Sequence, residues 1–113
     1  MSKYMQVDIR VIPFYEKSFE KRFPKIAGLL REMSHEELVE REISFYEMAD
    51  YLENISDNPG TPADVRDKLG SYPEKIMELK EIAREHLLAR RLNELDQVLY
   101  QMEDQFADLE DVL

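Results

Sequence analysis

From Glu74 to Leu113 the chain contains neither glycine nor proline. A run of about forty residues without a breaker is far longer than an ordinary globular helix, and its apolar residues are regularly placed. Leu88, Leu92, Leu95, Leu99, Met102, Phe106, Leu109 and Leu113 are separated by steps of 4, 3, 4, 3, 4, 3 and 4, a heptad seam sustained for more than three heptads. Val98 and Val112 flank the seam and widen it, which favours bundle packing over a two-residue coiled-coil stripe. Ser71 with Glu74, and Pro73 in the first turn, mark where this helix begins.

Extended backwards, the same seam lands on Glu85, Glu81, Glu78 and Glu74. The first half carries its apolar residues on the opposite side, at Tyr72, Ile76, Leu79 and Ala83. The buried side therefore changes near His86–Leu88, which a straight helix with one neighbour cannot accommodate. Either the helix breaks, or its two halves pack against different things. Arg90 and Arg91 suit a helix C-terminus, and Asn93 with Asp96 suits a new start. The expectation is one long C-terminal helix over 71–113 whose second half leaves its own domain to join a partner, with a break at Arg90–Asn93 as the competing reading.

The rest of the chain is punctuated more conventionally. Residues 5–12 alternate Met5, Val7, Ile9 and Val11 against Gln6, Asp8 and Arg10, a strand pattern with no second strand to pair with. An extended arm over 1–13, laid along a helix groove, is expected. Tyr15, Phe19, Phe23, Ile26, Leu30 and Met33 then form a helical stripe that Pro24 interrupts. A short helix, a break, and a second helix from Pro24 follow, with Lys17, Lys21 and Lys25 as a basic edge. Ser34 with Glu37 predicts a capped helix running to Ile55. After the turn "SDNPGTP", Thr61-Pro62 starts a short helix that stops at Gly70. The fold class is an all-α bundle of three to five helices in one domain: arm 1–13, helical body 14–70 and long helix 71–113.

Charge narrows function. The net charge is −10, yet residues 1–33 hold seven bases and four acids, while 34–113 hold eight bases and twenty-one acids. An acidic chain repels phosphate backbones, so direct nucleic-acid binding is not expected. The absence of cysteine removes disulfides and thiolate chemistry. No membrane span and no secretory signal are read, so a cytoplasmic location is expected. The uneven charge predicts that the basic front and the acidic remainder meet, within one chain or between copies.

No catalytic constellation, phosphate loop or cofactor motif is present. Glu32 and His35 have the Glu-x-x-His spacing of carboxylate-bridged di-metal bundles, but the pair occurs once where such sites use two. His86 sits where the buried face changes and adjoins Glu85, with which it shares no face. No catalytic residue, metal ligand or cofactor is assigned. The expected function is a non-enzymatic protein–protein interaction module (an adaptor, regulator or assembly chaperone) acting through the seam Leu88–Leu113. A homo-oligomer is expected, with an antiparallel dimer favoured because it brings each acidic end toward Lys80, Arg84, Arg90 and Arg91. Two alternatives remain: a metal-binding bundle built on the glutamate stripes with a histidine, and an acidic nucleic-acid mimic presenting the face Glu74, Glu78, Glu81 and Glu85.

Overall fold

Residues 3–5 and 8–113 are described by the computed structural model. Among them are seven helices and no strand: α1 (Phe19–Arg22), α2 (Pro24–Glu32), α3 (Glu36–Glu40), α4 (Phe45–Asp57), α5 (Ala63–Leu69), α6 (Tyr72–Leu88) and α7 (Leu92–Val112). The short helices α1, α3 and α5 span less than two turns each, and α2, α4, α6 and α7 make the bundle. No helix of the described residues is long and apolar enough to cross a membrane. Residues 8–14 form no regular element. Gln6 and Val7, part of the alternating pattern, lie outside the described residues.

Two expected helices are each split. The helix expected over 34–55 becomes α3 and α4, and the one expected over 71–113 becomes α6 and α7. In each case the chain turns at a non-glycine residue with positive φ. Ser34 has φ 66°, Glu42 φ 48° and Arg90 φ 57°. Ser34 is thus not the cap that starts a helix but the residue that ends α2. Its N–H donates to the Arg31 carbonyl, and the His35 N–H reaches back to the Leu30 carbonyl at 2.7 Å. Arg90 repeats this geometry at the end of α6, with the Arg90 N–H on the Leu87 carbonyl and the Arg91 N–H on the His86 carbonyl at 2.8 Å. Both are Schellman turns, which satisfy the orphan carbonyls of a helix end. α4 starts instead at Ser44, whose hydroxyl accepts from the Glu47 N–H at 3.2 Å.

Other caps also differ in detail. Thr61 does not cap α5; its hydroxyl donates to the Ile55 carbonyl at 2.6 Å, closing the end of α4, and Pro62 takes the cap position. Ser71 does occupy the cap position of α6, without a side-chain hydrogen bond. Gly70 ends α5 at φ 52°, as expected of a glycine there.

The break at Ala89–Arg91 folds α7 back along α6 as an antiparallel hairpin, and among the described helices these two are in the most extensive contact. α6 buries Ile76 and Ala83, with Tyr72 and Leu79 half-buried. α7 buries Leu95, Val98, Met102, Phe106 and Leu109. α4 covers the hairpin, running antiparallel to α6: Lys80 Nζ lies 2.6 Å from Asp50 Oδ2 and 4.6 Å from the Tyr46 ring centroid. The far end of α4 shares a groove with Gly70 and Pro73. An aromatic cluster joins the front of the chain to its end. The Phe45 ring lies 4.5 Å from Phe106, 5.3 Å from Phe23 and 5.7 Å from Tyr15. The Tyr15 hydroxyl donates to the Ile43 carbonyl at 2.6 Å.

One carboxylate closes the bundle. Pro24 has no N–H, and the cap residue Phe23 has no side-chain acceptor, so the first free donors of α2 are Lys25 and Ile26. Both donate to Glu110, near the end of α7: Lys25 N–H to Oε1 at 2.7 Å and Ile26 N–H to Oε2 at 2.9 Å. Glu110 is only 8% exposed. Its charge also faces the positive end of the α2 dipole. Glu110→Ala leaves two donors without partners and should cost about 2 kcal/mol, with Glu110→Gln losing less, both read from chemical denaturation.

Arg90 offers a test with opposite signs. In the left-handed turn, Arg90→Gly relieves a strain of about 1 kcal/mol and raises the melting temperature. In a continuous helix the same change would cost about 1 kcal/mol and lower it.

Candidate functional site

The expected interface residues separate into two groups once the hairpin forms. Leu95, Met102, Phe106 and Leu109 are buried in the chain's own core, and Leu99 and Leu113 pack against it half-buried. Leu88 lies on α6 rather than α7 and is 73% exposed, and Leu92, the first residue of α7, is 53% exposed. The heptad seam is therefore satisfied mostly inside the chain. The change of face at His86–Leu88 is the hairpin turn itself, because two antiparallel helices each bury their own side.

The closed end of the hairpin carries a distinct constellation. Leu88 and Leu92 stand on either side of the turn Ala89–Arg91, and Arg84, Arg90 and Arg91 are exposed around it. The turn is braced by a side-chain contact. Arg91 Nε donates to His86 Nδ1 at 2.9 Å, so that ring nitrogen acts as acceptor. This polar contact takes the place of the apolar one that usually accompanies a Schellman turn. The result is a cationic turn flanked by two exposed leucines. Full burial of a leucine side chain is worth roughly 1.5–3 kcal/mol, so the pair supplies a useful binding increment if a partner covers it.

The acidic face is also formed. Glu74, Glu78, Glu81 and Glu85 are all exposed on α6. The first three line a groove of about 500 Å³ with Glu53 and Asp57 of α4, over Pro73 and Met77. Among the described residues no three Asp, Glu or His side chains come together as a metal-binding group. Glu32 and His35 are separated by the turn at Ser34, so they do not share a helix face. His35 meets the Tyr51 ring edge-on at 5.5 Å and lies 3.9 Å from Glu37.

A second groove, of about 530 Å³, lies between the front of the chain and α7, where Lys17 and Arg22 face Glu103 and Asp104 across Phe14 and Phe45. Burial, and then the neighbouring Asp104 and Asp96, push the Glu103 carboxyl above the usual range. The nearby bases do not form an ion pair with it among the described residues. The basic front and the acidic end thus meet here without neutralising Glu103. Tyr15, between Glu42 and Glu103, is likewise held in its neutral form, first by burial and then by those two acids.

Comparisons with known protein families, with curated proteins and with solved structures find no match. The candidate site rests on geometry alone. Its leucines were among those the seam singled out, but the grouping with Arg84, Arg90 and Arg91 required knowing that the chain turns between them. The sequence signal was the pair Arg90-Arg91 set between Leu88 and Leu92.

Glu103 yields a pH test. A carboxyl whose folded pKa is raised binds its proton more tightly in the native state, so it adds stability at low pH and loses it as pH rises through that value. Glu103→Gln should therefore raise the melting temperature at pH 7, and the advantage should vanish near pH 4.

Proposed function

We propose that this chain is a non-enzymatic protein–protein interaction module, of the adaptor, regulator or assembly-chaperone kind, that offers the closed end of the α6–α7 hairpin to an acidic amphipathic helix of another protein. The observation that carries the reading is the pair of exposed leucines, Leu88 and Leu92, held at a braced turn among Arg84, Arg90 and Arg91. Helix-on-helix recognition works through a few apolar anchors spaced along one face, with charge choosing the partner and its direction. An acidic partner helix supplies both the apolar face for the leucines and the carboxylates for the arginines.

The acidic face of α6 supports a second reading. Four exposed carboxylates at Glu74, Glu78, Glu81 and Glu85 rise about 5 Å apart along the helix axis, with Glu53 and Asp57 beside them. That surface suits an acidic nucleic-acid mimic that occupies a basic DNA-binding partner.

One experiment separates the two. Proteins captured from the native cytoplasm by the wild type are compared with those captured by Leu88→Glu/Leu92→Glu, after circular dichroism shows the variant to be folded. The module reading expects an acidic protein that the double variant binds at least about a hundredfold more weakly, the equivalent of roughly 3 kcal/mol of lost apolar burial. A basic protein that the variant retains and that high salt releases replaces it with the mimic reading. A partner retained by the variant at all salt concentrations defeats both.

A further inference from the structure

Leu88 is not an isolated exposed residue. Counting back from it along α6 by steps of 4, 3 and 4 gives Arg84, Glu81 and Met77, four residues on one face of the helix. Glu81, Arg84 and Leu88 are exposed, and Met77 is half-buried. Neither Glu81 nor Arg84 forms an ion pair with another described residue. Met77 and Glu81 line the groove that Glu53 and Asp57 of α4 border with Glu74. The acidic groove and the cationic hairpin end thus share one face of one helix. Met77 and Leu88 stand about 16 Å apart along it, at 1.5 Å per residue, so a chain cannot place its own hairpin end in its own groove.

We infer that two copies of this chain pair through this face of α6, antiparallel, each laying its hairpin end in the other's groove. The stripe fixes the register because it is complementary to itself when reversed. Its spacing of 4, 3, 4 reads the same in both directions, and its order is apolar, acid, base, apolar. With the two-fold axis crossing α6 between Glu81 and Arg84, Met77 faces the partner's Leu88 and Glu81 faces the partner's Arg84. Each contact occurs twice. The turn of the partner subunit, with its two arginines, then lies at the end of the groove where Glu53, Asp57 and Glu74 stand. A parallel pairing would instead set Glu81 against Glu81 and Arg84 against Arg84. Charge therefore selects the direction and register, while burial of the leucine on the methionine supplies association. The thioether of Met77 is a flexible, polarizable surface that adapts to such an anchor. The occupant is a second copy because each chain carries both halves of the contact, in the order that lets one two-fold axis satisfy both. Such an isologous contact closes at two. This pairing rests on the reading of the hairpin end as a contact surface, and the second copy and an acidic helix of another protein then compete for that end.

Sedimentation equilibrium on the full chain, from about 1 µM to several hundred µM, tests the pairing. The wild type is expected to dimerise. Glu81→Arg and Arg84→Glu, each alone, set like charges opposite one another twice per dimer and should weaken association about tenfold or more. An equimolar mixture of the two single variants sets every acid opposite a base, as does the double variant Glu81→Arg/Arg84→Glu, and each should recover wild-type association. Leu88→Glu puts a fifth acid into the groove with Glu53, Asp57, Glu74 and Glu81, and should weaken the dimer at least as much as either reversal. All of these positions are exposed, and circular dichroism checks that each variant is folded. A dimer indifferent to the single reversals or to Leu88→Glu overturns the inference, as does a mixture no tighter than its separate components. A wild type that stays monomeric throughout also overturns it. The hairpin reading is then decided separately, because Glu81→Arg leaves Leu88 and Leu92 in place and should still capture an acidic protein that Leu88→Glu/Leu92→Glu loses.

Discussion

The carboxylate of Glu110 ties the two ends of the chain together, and the fold as a whole depends on its reaching the start of α2. It stands 84 residues from Ile26 and nevertheless serves as the acceptor that α2 lacks in its own sequence. Were α6 and α7 one continuous rod, Glu110 would lie about 40 Å beyond Ala83, at a rise of 1.5 Å per residue. It could not then meet a helix that packs beside the hairpin. The turn at Arg90 and the clasp at Glu110 are thus two halves of one constraint. The same return of α7 brings Phe106 onto Phe45, and through it onto Phe23 and Tyr15. Tyr15 and Phe23, near the front of the chain, thus pack through Phe45 onto its far end.

What the sequence made legible, and what it hid, follows from how this chain ends its helices. The breaks at Pro24 and Gly70 were readable because proline removes a donor and glycine accepts a positive φ without strain. So were the two apolar faces of α6 and α7, since period alone identifies which residues seek burial. The turns at Ser34 and Glu42 were not readable, because each places an ordinary L-residue in the left-handed region, and the one at Arg90 was readable only as the competing break at Arg90–Asn93. Ser34 was misleading as well as silent: with Glu37 it has the form of a cap, while its backbone ends the preceding helix. The true start of α4 had a matching signal in Ser44-x-x-Glu47, overshadowed by the stronger apolar run around it. Arg90 lies in a stretch free of glycine and proline, where the change of apolar face, the Arg90-Arg91 pair and Asn93 with Asp96 recorded the turn.

The charge asymmetry suggested that the basic front and the acidic remainder meet, and the contact the structure shows between Lys25–Ile26 and Glu110 is not an ion pair. The acid that matters most, Glu110, is held by backbone N–H groups of Lys25 and Ile26, not by the lysine ammonium. Dipoles fixed in a helix end offer a carboxylate an environment that is already organised, whereas a surface lysine must give up side-chain freedom to do the same. Glu103, lacking such donors, remains an uncompensated charge in a half-covered groove. Position relative to backbone donors, more than the count of nearby bases, decides which acids of α7 support the fold.

The same distinction between period and partner governs the functional reading. A heptad seam states that a face must be buried; it does not state what buries it. In an antiparallel hairpin each seam residue finds a counterpart on the returning helix except at the closed end, where the two helices separate into the turn. There the geometry runs out of partners, and residues facing that end are ordinarily polar, as turns require. Leu88 and Leu92 break this rule on both sides of a turn that is otherwise built from arginine. They stay exposed while Leu95, Ala83 and Val98 are buried in the core. The proposed contact therefore sits at the hairpin end, because the rest of the seam is already occupied by the chain's own core.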